Sequence, residues 1–474
     1  MSETLGVRNP RTGEKDYTIT LPSDTELDAI AARLRANQTG WAKAGLEHRI
    51  AVLQRWLPEI EKRKEAMTAA LCADTGRLAE TISEVNGLPN AINRWCKWAP
   101  QALTEYSDKD TSIPTLKLAG QLVPYPLVGV VSPWNFPLLL SNIDAIPALL
   151  AGCAVLVKPS EVTPRFIKPL MESIEAVPEL AAVYHYVEGD GRVGAAVVDR
   201  VDMVCFTGSV ATGRKVGAQA AGRFIPAFLE LGGKDPSIIL EGADIDRASS
   251  ALLWGSTANA GQACQSIERI YVHESLFEPF VEKLVEKANR LKLAYPTVGD
   301  GEIGPIIFER QAAIIEDHLK DAVEKGAVIR TGGIEKLGGG NYCRPTVLTN
   351  VNHGMKVMSE ETFGPVLPVM SFTTKEEAVA LANDSIYGLS GSVFGRTEAE
   401  AMEVARQLQG GGISVQDTTL TGIMQEGEKM SFKFSGIGGS RMGPSAIRRF
   451  VRQQLFIINR GANAPDPWWY KAVQ

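Results

Sequence analysis

Apolar positions early in the chain recur at helical spacing. Val52, Leu53, Trp56, Leu57 and Ile60, with Arg49 one turn before them, share a stripe. This spacing predicts helix over most of residues 24–106, with an amphipathic face that needs a partner surface. Residues 116–126 alternate more weakly and end at prolines, which predicts an extended hairpin segment. Beyond them the pattern changes to short runs that are apolar throughout, at 128–131, 153–157, 183–187 and 203–206. Helix-length segments such as 165–174 and 191–198 separate these runs. Strands without a polar face predict a parallel sheet covered by helices on both sides. The same grammar returns after Gly233: strands at 237–239 and 269–272, and helices at 244–258, 276–291 and 310–325. A second α/β unit is therefore expected from near Pro236 to about Ser435. Gly332-Gly333, Gly338–Gly340 and Gly410–Gly412 read as loops. Residues 136–157 are the most apolar stretch, but Asn142, Asp144 and Pro147 interrupt it. It reads as a buried helix followed by a strand, not a membrane span.

With 474 residues, the chain is long enough for two large domains. Its 45% hydrophobic and 22% charged residues are ordinary globular usage, and the net charge of -6 gives no nucleic-acid surface. No basic region followed by an apolar run opens the sequence, so no signal peptide is expected. Six scattered cysteines form neither a disulfide framework nor a zinc pattern, which suits a reducing cytosol and predicts a cytoplasmic protein. The five histidines are dispersed too, so no metal site is expected.

The sharpest chemical signal is Asn259-Ala260-Gly261-Gln262-Ala263-Cys264. A cysteine among small residues can act as a thiolate nucleophile. Glu230, in Leu-Glu-Leu-Gly-Gly-Lys, can prepare water to release what the cysteine has captured. Most of the six cysteines are expected to be buried apolar residues instead. Gly189-Asp190-Gly191-Arg192-Val193-Gly194 matches a dinucleotide fingerprint, but the acidic residue expected about 20 positions on is replaced by Ser209 and Val210. It reads as a structural turn. A better phosphate site follows at 206–213, where Gly208 lets the backbone turn, Ser209 stands at a helix start and Gly213 allows close approach. The alternative for Ser209 is a plain helix cap. Lys158 and Glu161, in Lys-Pro-Ser-Glu after a strand, suit ribose hydroxyls. In Pro133-Trp134-Asn135-Phe136-Pro137, the Asn135 amide either stabilises an oxyanion or closes a loop.

In order and spacing, these motifs with Glu-Glu-Thr-Phe-Gly-Pro-Val at 360–366 resemble the aldehyde dehydrogenase superfamily across nearly the whole chain. The resemblance implies two Rossmann-like α/β domains plus a small β arm. Residues 1–107 and 124–235 would bind NAD, and 236–435 would form the catalytic domain. Residues 108–123 and 453–474 would form the oligomerisation arm and tail, with 436–452 connecting. It implies Cys264 as nucleophile, Glu230 as general base, and an oxyanion hole from Asn135 and the Cys264 backbone N–H. NAD would be held by Trp134, Lys158, Glu161, Gly208, Ser209, Gly213, Glu361 and Phe363. Glu161 would repel the 2′-phosphate of NADP. The expected partners are a small-molecule aldehyde and further copies of the chain, as homodimer or homotetramer, with no nucleic acid or membrane.

Leu140 and Ile143 share a helical face that would line the aldehyde tunnel, joined by Phe432 and Phe434. An apolar tunnel favours medium-chain aliphatic or aromatic aldehydes. Arg269 and Arg441 leave room for the alternative, an anionic semialdehyde. A coenzyme-A-acylating enzyme and a non-catalytic structural relative are the other readings, and Glu230 with Cys264 and Asn135 argues against both. The sequence departs from common members in Met430-Ser431-Phe432-Lys433-Phe434-Ser435-Gly436 and around Gln416-Asp417, which places unusual residues near the substrate entrance. The terminal Pro465-Asp466-Pro467-Trp468-Trp469-Tyr470 is expected to pack on a neighbouring subunit.

Overall fold

The structure, a computed structural model, describes residues 3–461 and 466–470. Four helices, Asp24–Lys43, Leu46–Lys62, Lys64–Thr75 and Ala79–Ala102, form the expected helical region. Ser23 and Glu26 close a capping box at the first helix. The predicted stripe is the buried face of the second: Arg49, Val52, Leu53, Trp56 and Ile60 are all buried. The Trp56 indole satisfies its one donor on Ser173 Oγ at 2.9 Å. Burial without that partner would forfeit roughly 1–3 kcal/mol.

These helices pack on a six-stranded sheet ordered Gly436–Ile437, Ala227–Glu230, Met203–Thr207, Leu127–Val131, Ala154–Lys158 and Tyr184–Tyr186. All its pairs are parallel except the first, which is antiparallel. The strand order reverses around Leu127–Val131, and a crevice beyond the strand ends at such a switch point is where open α/β sheets bind ligands. Residues 136–157 divide into two short helices, Pro137–Asn142 and Ala145–Ala151, before the strand, where one helix was expected. Asp144 makes the break. It is buried between the guanidinium groups of Arg441 and Arg449. Ala446, Ile447 and Phe450, from the segment expected as a mere connection, belong to this body's core.

The second sheet has seven strands, ordered Val328–Leu337, Gly340–Thr349, Val366–Phe372, Ile267–His273, Asp235–Ile239, Ser390–Phe394 and Gly412–Val415. Its first pair is an antiparallel hairpin. Gly338 and Gly339 turn that hairpin as expected, but Gly332 and Gly333 are not a loop. They sit inside the first strand at φ +98° and +118°, where the register shifts. A bulge in a ladder needs such backbone, and glycine supplies it. A hairpin of Thr4–Arg8 with Lys15–Thr20 also formed without having been predicted.

A third sheet joins Tyr106–Asp110, Leu116–Pro124 and Val451–Asn459. The last strand runs in unbroken antiparallel register from Val451 opposite Pro124 to Asn459 opposite Leu116. It is an edge strand, and Leu455, Phe456, Ile457 and Ile458 along it are exposed. Among the described residues, no helix is long and apolar enough to cross a membrane.

Candidate active site

Cys264 lies in the turn between the helix Ile245–Thr257 and the strand Ile267–His273. Asn259, Ala260 and Gly261 enter that turn with φ of 55°, 52° and 70°. Left-handed backbone at non-glycine residues stores strain and persists only where the surroundings over-determine it. Here they do. The buried Gln262 side chain donates to the Asn259 and Pro305 carbonyls at 2.9 and 3.2 Å and accepts from Ile307 N at 2.8 Å. A Cβ on Gly261 would overlap the Gly364 carbonyl, and one on Gly233 would overlap the carbonyl of Cys264 itself. Glycine therefore lets three of the predicted motifs meet backbone to backbone.

Asn135 reaches the same turn. Its Nδ2 donates to the Gln262 carbonyl at 3.0 Å, and its own carbonyl accepts from Asn259 Nδ2 at 3.0 Å. These bonds show Asn135 closing the loop; its amide nitrogen carries two hydrogens, and they use one, which leaves the oxyanion reading open.

Glu230 ends the strand Ala227–Glu230, opposite Gly436, and its Oε2 accepts from Ser431 Oγ at 3.1 Å. Burial pushes the Cys264 thiol up to about 12, and the carboxylates of Glu230, Asp235 and Glu361 push in the same direction. Lys429 alone among the named charges pulls it down. Asp235, buried beneath the site, is itself raised to about 6 by burial. Glu361 is raised to about 8 by burial and by Glu268, and its Oε1 accepts from Gly233 N at 3.0 Å. Glu268 is a support absent from the expected set. It takes Lys234 Nζ at 2.6 Å and the Thr362 and Phe363 amides at 2.7 and 2.8 Å, fixing the loop that carries Glu361.

On the cofactor side, Lys158 ends its strand and its Nζ lies 3.3 Å from both Glu161 Oε2 and the Asp190 carbonyl. Asp190 caps the helix Gly191–Val198, so the apparent fingerprint there is a structural turn. Ser209 caps the helix Val210–Gly222, accepting from Thr212 N at 3.3 Å. Gly208 and Gly213 owe their small size to protein neighbours: a Cβ at either would strike the Phe206 ring or the Leu231 side chain. Trp134 and Phe363 meet edge to face, with ring centroids 5.4 Å apart.

Leu140 and Ile143 remain part-exposed while Leu138, Ser141 and Asn142 around them are buried. Phe432 and Phe434 have a different setting. Both are about half exposed. Phe432 belongs to a short strand beside Tyr387–Gly388, and Phe434 lies 4.5 Å beneath the Arg214 guanidinium of the helix Val210–Gly222. The two arginines kept for an anion are also committed elsewhere. Arg269 is buried and donates to the carbonyls of Lys234, Leu381, Ala382 and Asp384. Arg441 holds Asp144 and Thr207.

The aldehyde dehydrogenase family model matches residues 1–456, and the chain belongs to that family, as an NAD(P)-dependent member that does not acylate coenzyme A. It is 58% identical to the solved "Putative Aldehyde Dehydrogenase PutA" of Anabaena variabilis, with a TM-score of 0.97, covering 99% of this chain and 100% of that one. Betaine aldehyde dehydrogenase of Staphylococcus aureus, solved in complex with NAD+, is 30% identical with a TM-score of 0.92, over 99% and 94% of the two chains. Among curated relatives, a "Putative succinate-semialdehyde dehydrogenase" (NADP(+)) of Mycolicibacterium smegmatis is 34% identical over 99% of this chain and 94% of its own. The 4,4'-diapolycopene aldehyde oxidase of a Methylomonas species is 36% identical over 89% and 82%.

Proposed function

We propose that the protein oxidises an aldehyde bearing an anionic group to its carboxylate, with NAD as acceptor. The observation that carries the substrate class is Lys429. Its stem packs against the Gly412 backbone, where an added Cβ would lie 3.1 Å from Cδ, and its backbone N donates to Ser440 Oγ at 3.0 Å. It stands two residues from Ser431, which touches Glu230, and its charge acts on both Cys264 and Asp235. An ammonium there can pair with a carboxylate on the far end of a short aldehyde. Relatives of nearly equal identity carry names with very different aldehydes, a dicarboxylate semialdehyde and a long apolar chain. The local charge favours the first over the medium-chain aliphatic or aromatic substrates that an apolar tunnel suggested.

The residues fit the chemistry. Cys264 Sγ adds to the carbonyl carbon, and the oxyanion of the resulting thiohemiacetal would accept the spare Asn135 hydrogen. Such a donor is worth about 10²–10³ in rate. NAD, when bound, supplies the hydride acceptor; Lys158 and Glu161 would hold its adenosine ribose, and Trp134 and Phe363 would border its nicotinamide end. Glu161 already neutralises Lys158 at 3.3 Å, which leaves little charge to welcome a 2′-phosphate. Glu230 then takes a proton from the water that releases the acid from Sγ.

Three measurements test this reading. Cys264→Ala is expected to abolish turnover and keep NAD binding; persistent turnover removes Cys264 as nucleophile. Succinic semialdehyde should exceed hexanal and benzaldehyde in kcat/KM, and Lys429→Met should erase that preference chiefly through KM. A wild-type preference for hexanal or benzaldehyde restores the apolar reading. The exposed edge strand Val451–Asn459 supports a homodimer or homotetramer, measurable by light scattering. Asn463, Ala464 and Pro465 of the tail lie outside the described residues; Trp468, Trp469 and Tyr470 remain at least half exposed.

A further inference from the structure

The hydrogen bond between Ser431 and Glu230 has a specific seat. Gly436 pairs with Glu230 across the antiparallel ladder, and the Ser431 side chain lies close over it: a Cβ on Gly436 would overlap the Leu229 carbonyl and crowd Ser431 Cβ and Oγ at 3.1 and 3.2 Å. The hydroxyl is thereby held over the ladder with its oxygen 3.1 Å from Glu230 Oε2. The backbone beneath it is fixed as well. Ser435 O accepts from Leu231 N at 2.8 Å, and Ser435 Oγ donates to the Gly232 carbonyl at 2.7 Å. The strand carrying Glu230 and the segment carrying Ser431 therefore move as one piece.

We infer that Ser431 is a positioning residue for the general base, holding the Glu230 carboxylate in one orientation so that it activates water rather than swinging free in the cleft. The inference rests on the reading of Glu230 as that base. The Cys264 thiol and the Arg441 guanidinium also interact electrostatically with the Glu230 carboxylate. Neither of them makes a direct bond that would replace the one from Ser431.

Ser431→Ala and Ser431→Thr, compared with Glu230→Gln in pre-steady-state and steady-state NADH formation, test the inference. Loss of one hydrogen bond to a charged group predicts about a tenfold fall in steady turnover for Ser431→Ala. The NADH burst should keep its rate, and KM should fall with kcat, because slower release of the acid lets the acylated enzyme accumulate. Ser431→Thr, which restores the hydroxyl, should recover most of the rate. If Glu230→Gln loses steady turnover while Ser431→Ala matches wild type in kcat and KM, the positioning role is overturned alone. If Ser431→Ala slows the burst as much as steady turnover, or Ser431→Thr fails to recover, the effect is structural and the inference fails. If Glu230→Gln keeps full steady turnover, the base assignment fails and takes the inference with it.

Discussion

Around the nucleophile, residues 230–235, 259–264 and 361–364 meet backbone to backbone, with glycine at the crossing points. Beyond the backbone pairing of Gly436 and Ser435 with the Glu230 strand, residues 423–437 act here through side chains: the Lys429 charge on Cys264, Ser431 onto Glu230, Phe434 under Arg214. The first region has little slack, since an atom added at Gly233 or Gly261 would run into main chain and one added at Gly232 or Gly364 into a neighbouring side chain. The second is largely exposed, with Ile423, Met424, Met430, Phe432 and Phe434 all open to solvent. Rigid contacts of the first kind suit a geometry that bond formation requires within fractions of an ångström. Side-chain contacts can change with substrate while the chemistry stays in place.

The largest break in that comparison should come from Gly261→Ala. Alanine at φ +70° costs about 1–2 kcal/mol by itself, and its Cβ would overlap the Gly364 carbonyl, which belongs to main chain and cannot rotate away. Displacing the turn by an ångström predicts a loss of about 10² in kcat/KM, together with a lowered Tm. Near-normal turnover in a folded Gly261→Ala variant would show that the turn has slack, and the distinction between the two regions would collapse.

A smaller effect should appear at the thiol. In the cofactor-free enzyme, Cys264 is pushed up to about 12, so at neutral pH almost all of it is protonated. The thiolate fraction, and with it the rate of alkylation by iodoacetamide, should rise about tenfold per pH unit between pH 7 and 10. Lys429 pulls the thiol down, so removing its charge leaves less thiolate at every pH below that value. Lys429→Met should therefore slow alkylation by roughly threefold to tenfold without altering the slope. An unchanged rate would detach Lys429 from the nucleophile and weaken the case for an anionic substrate.

The same division governs what was legible in the sequence. Motifs whose residue types are forced by main-chain crossings could be read directly: Asn135 bonds the turn that carries Cys264, and Glu230 acts electrostatically on its thiol. The parallel strands were also legible, because burial on both faces leaves unbroken apolar runs such as Val128 to Val131. Lys429 and Ser431 were not, because nothing local to a loop lysine or serine says which distant strand it will face. The unusual Met430–Gly436 segment marked the right place but not the contacts. Arg269 and Arg441 misled for a related reason: sequence shows a charge but not the carbonyls and the carboxylate that occupy it. Gly332 and Gly333 looked like a turn because a bulge and a turn demand the same backbone.

Phe434→Ala should give the smallest effect and decides whether the rim forms part of the tunnel. The ring lies under Arg214, a cation–π contact at 4.5 Å, and is about half exposed. Such a contact at an exposed site stabilises by about 0.5–1 kcal/mol, so removal should lower stability by no more than that. If the contact is the ring's main role, kcat/KM for benzaldehyde and hexanal should stay within about twofold of wild type, since a group outside the reacting geometry contributes little to the barrier. Any change should fall instead on the KM for NAD, because Arg214 belongs to the helix whose first turn is proposed to face the cofactor. A selective tenfold loss with benzaldehyde would place Phe434 in the tunnel wall after all. It would also show that this rim, despite its exposure, closes on the substrate during turnover.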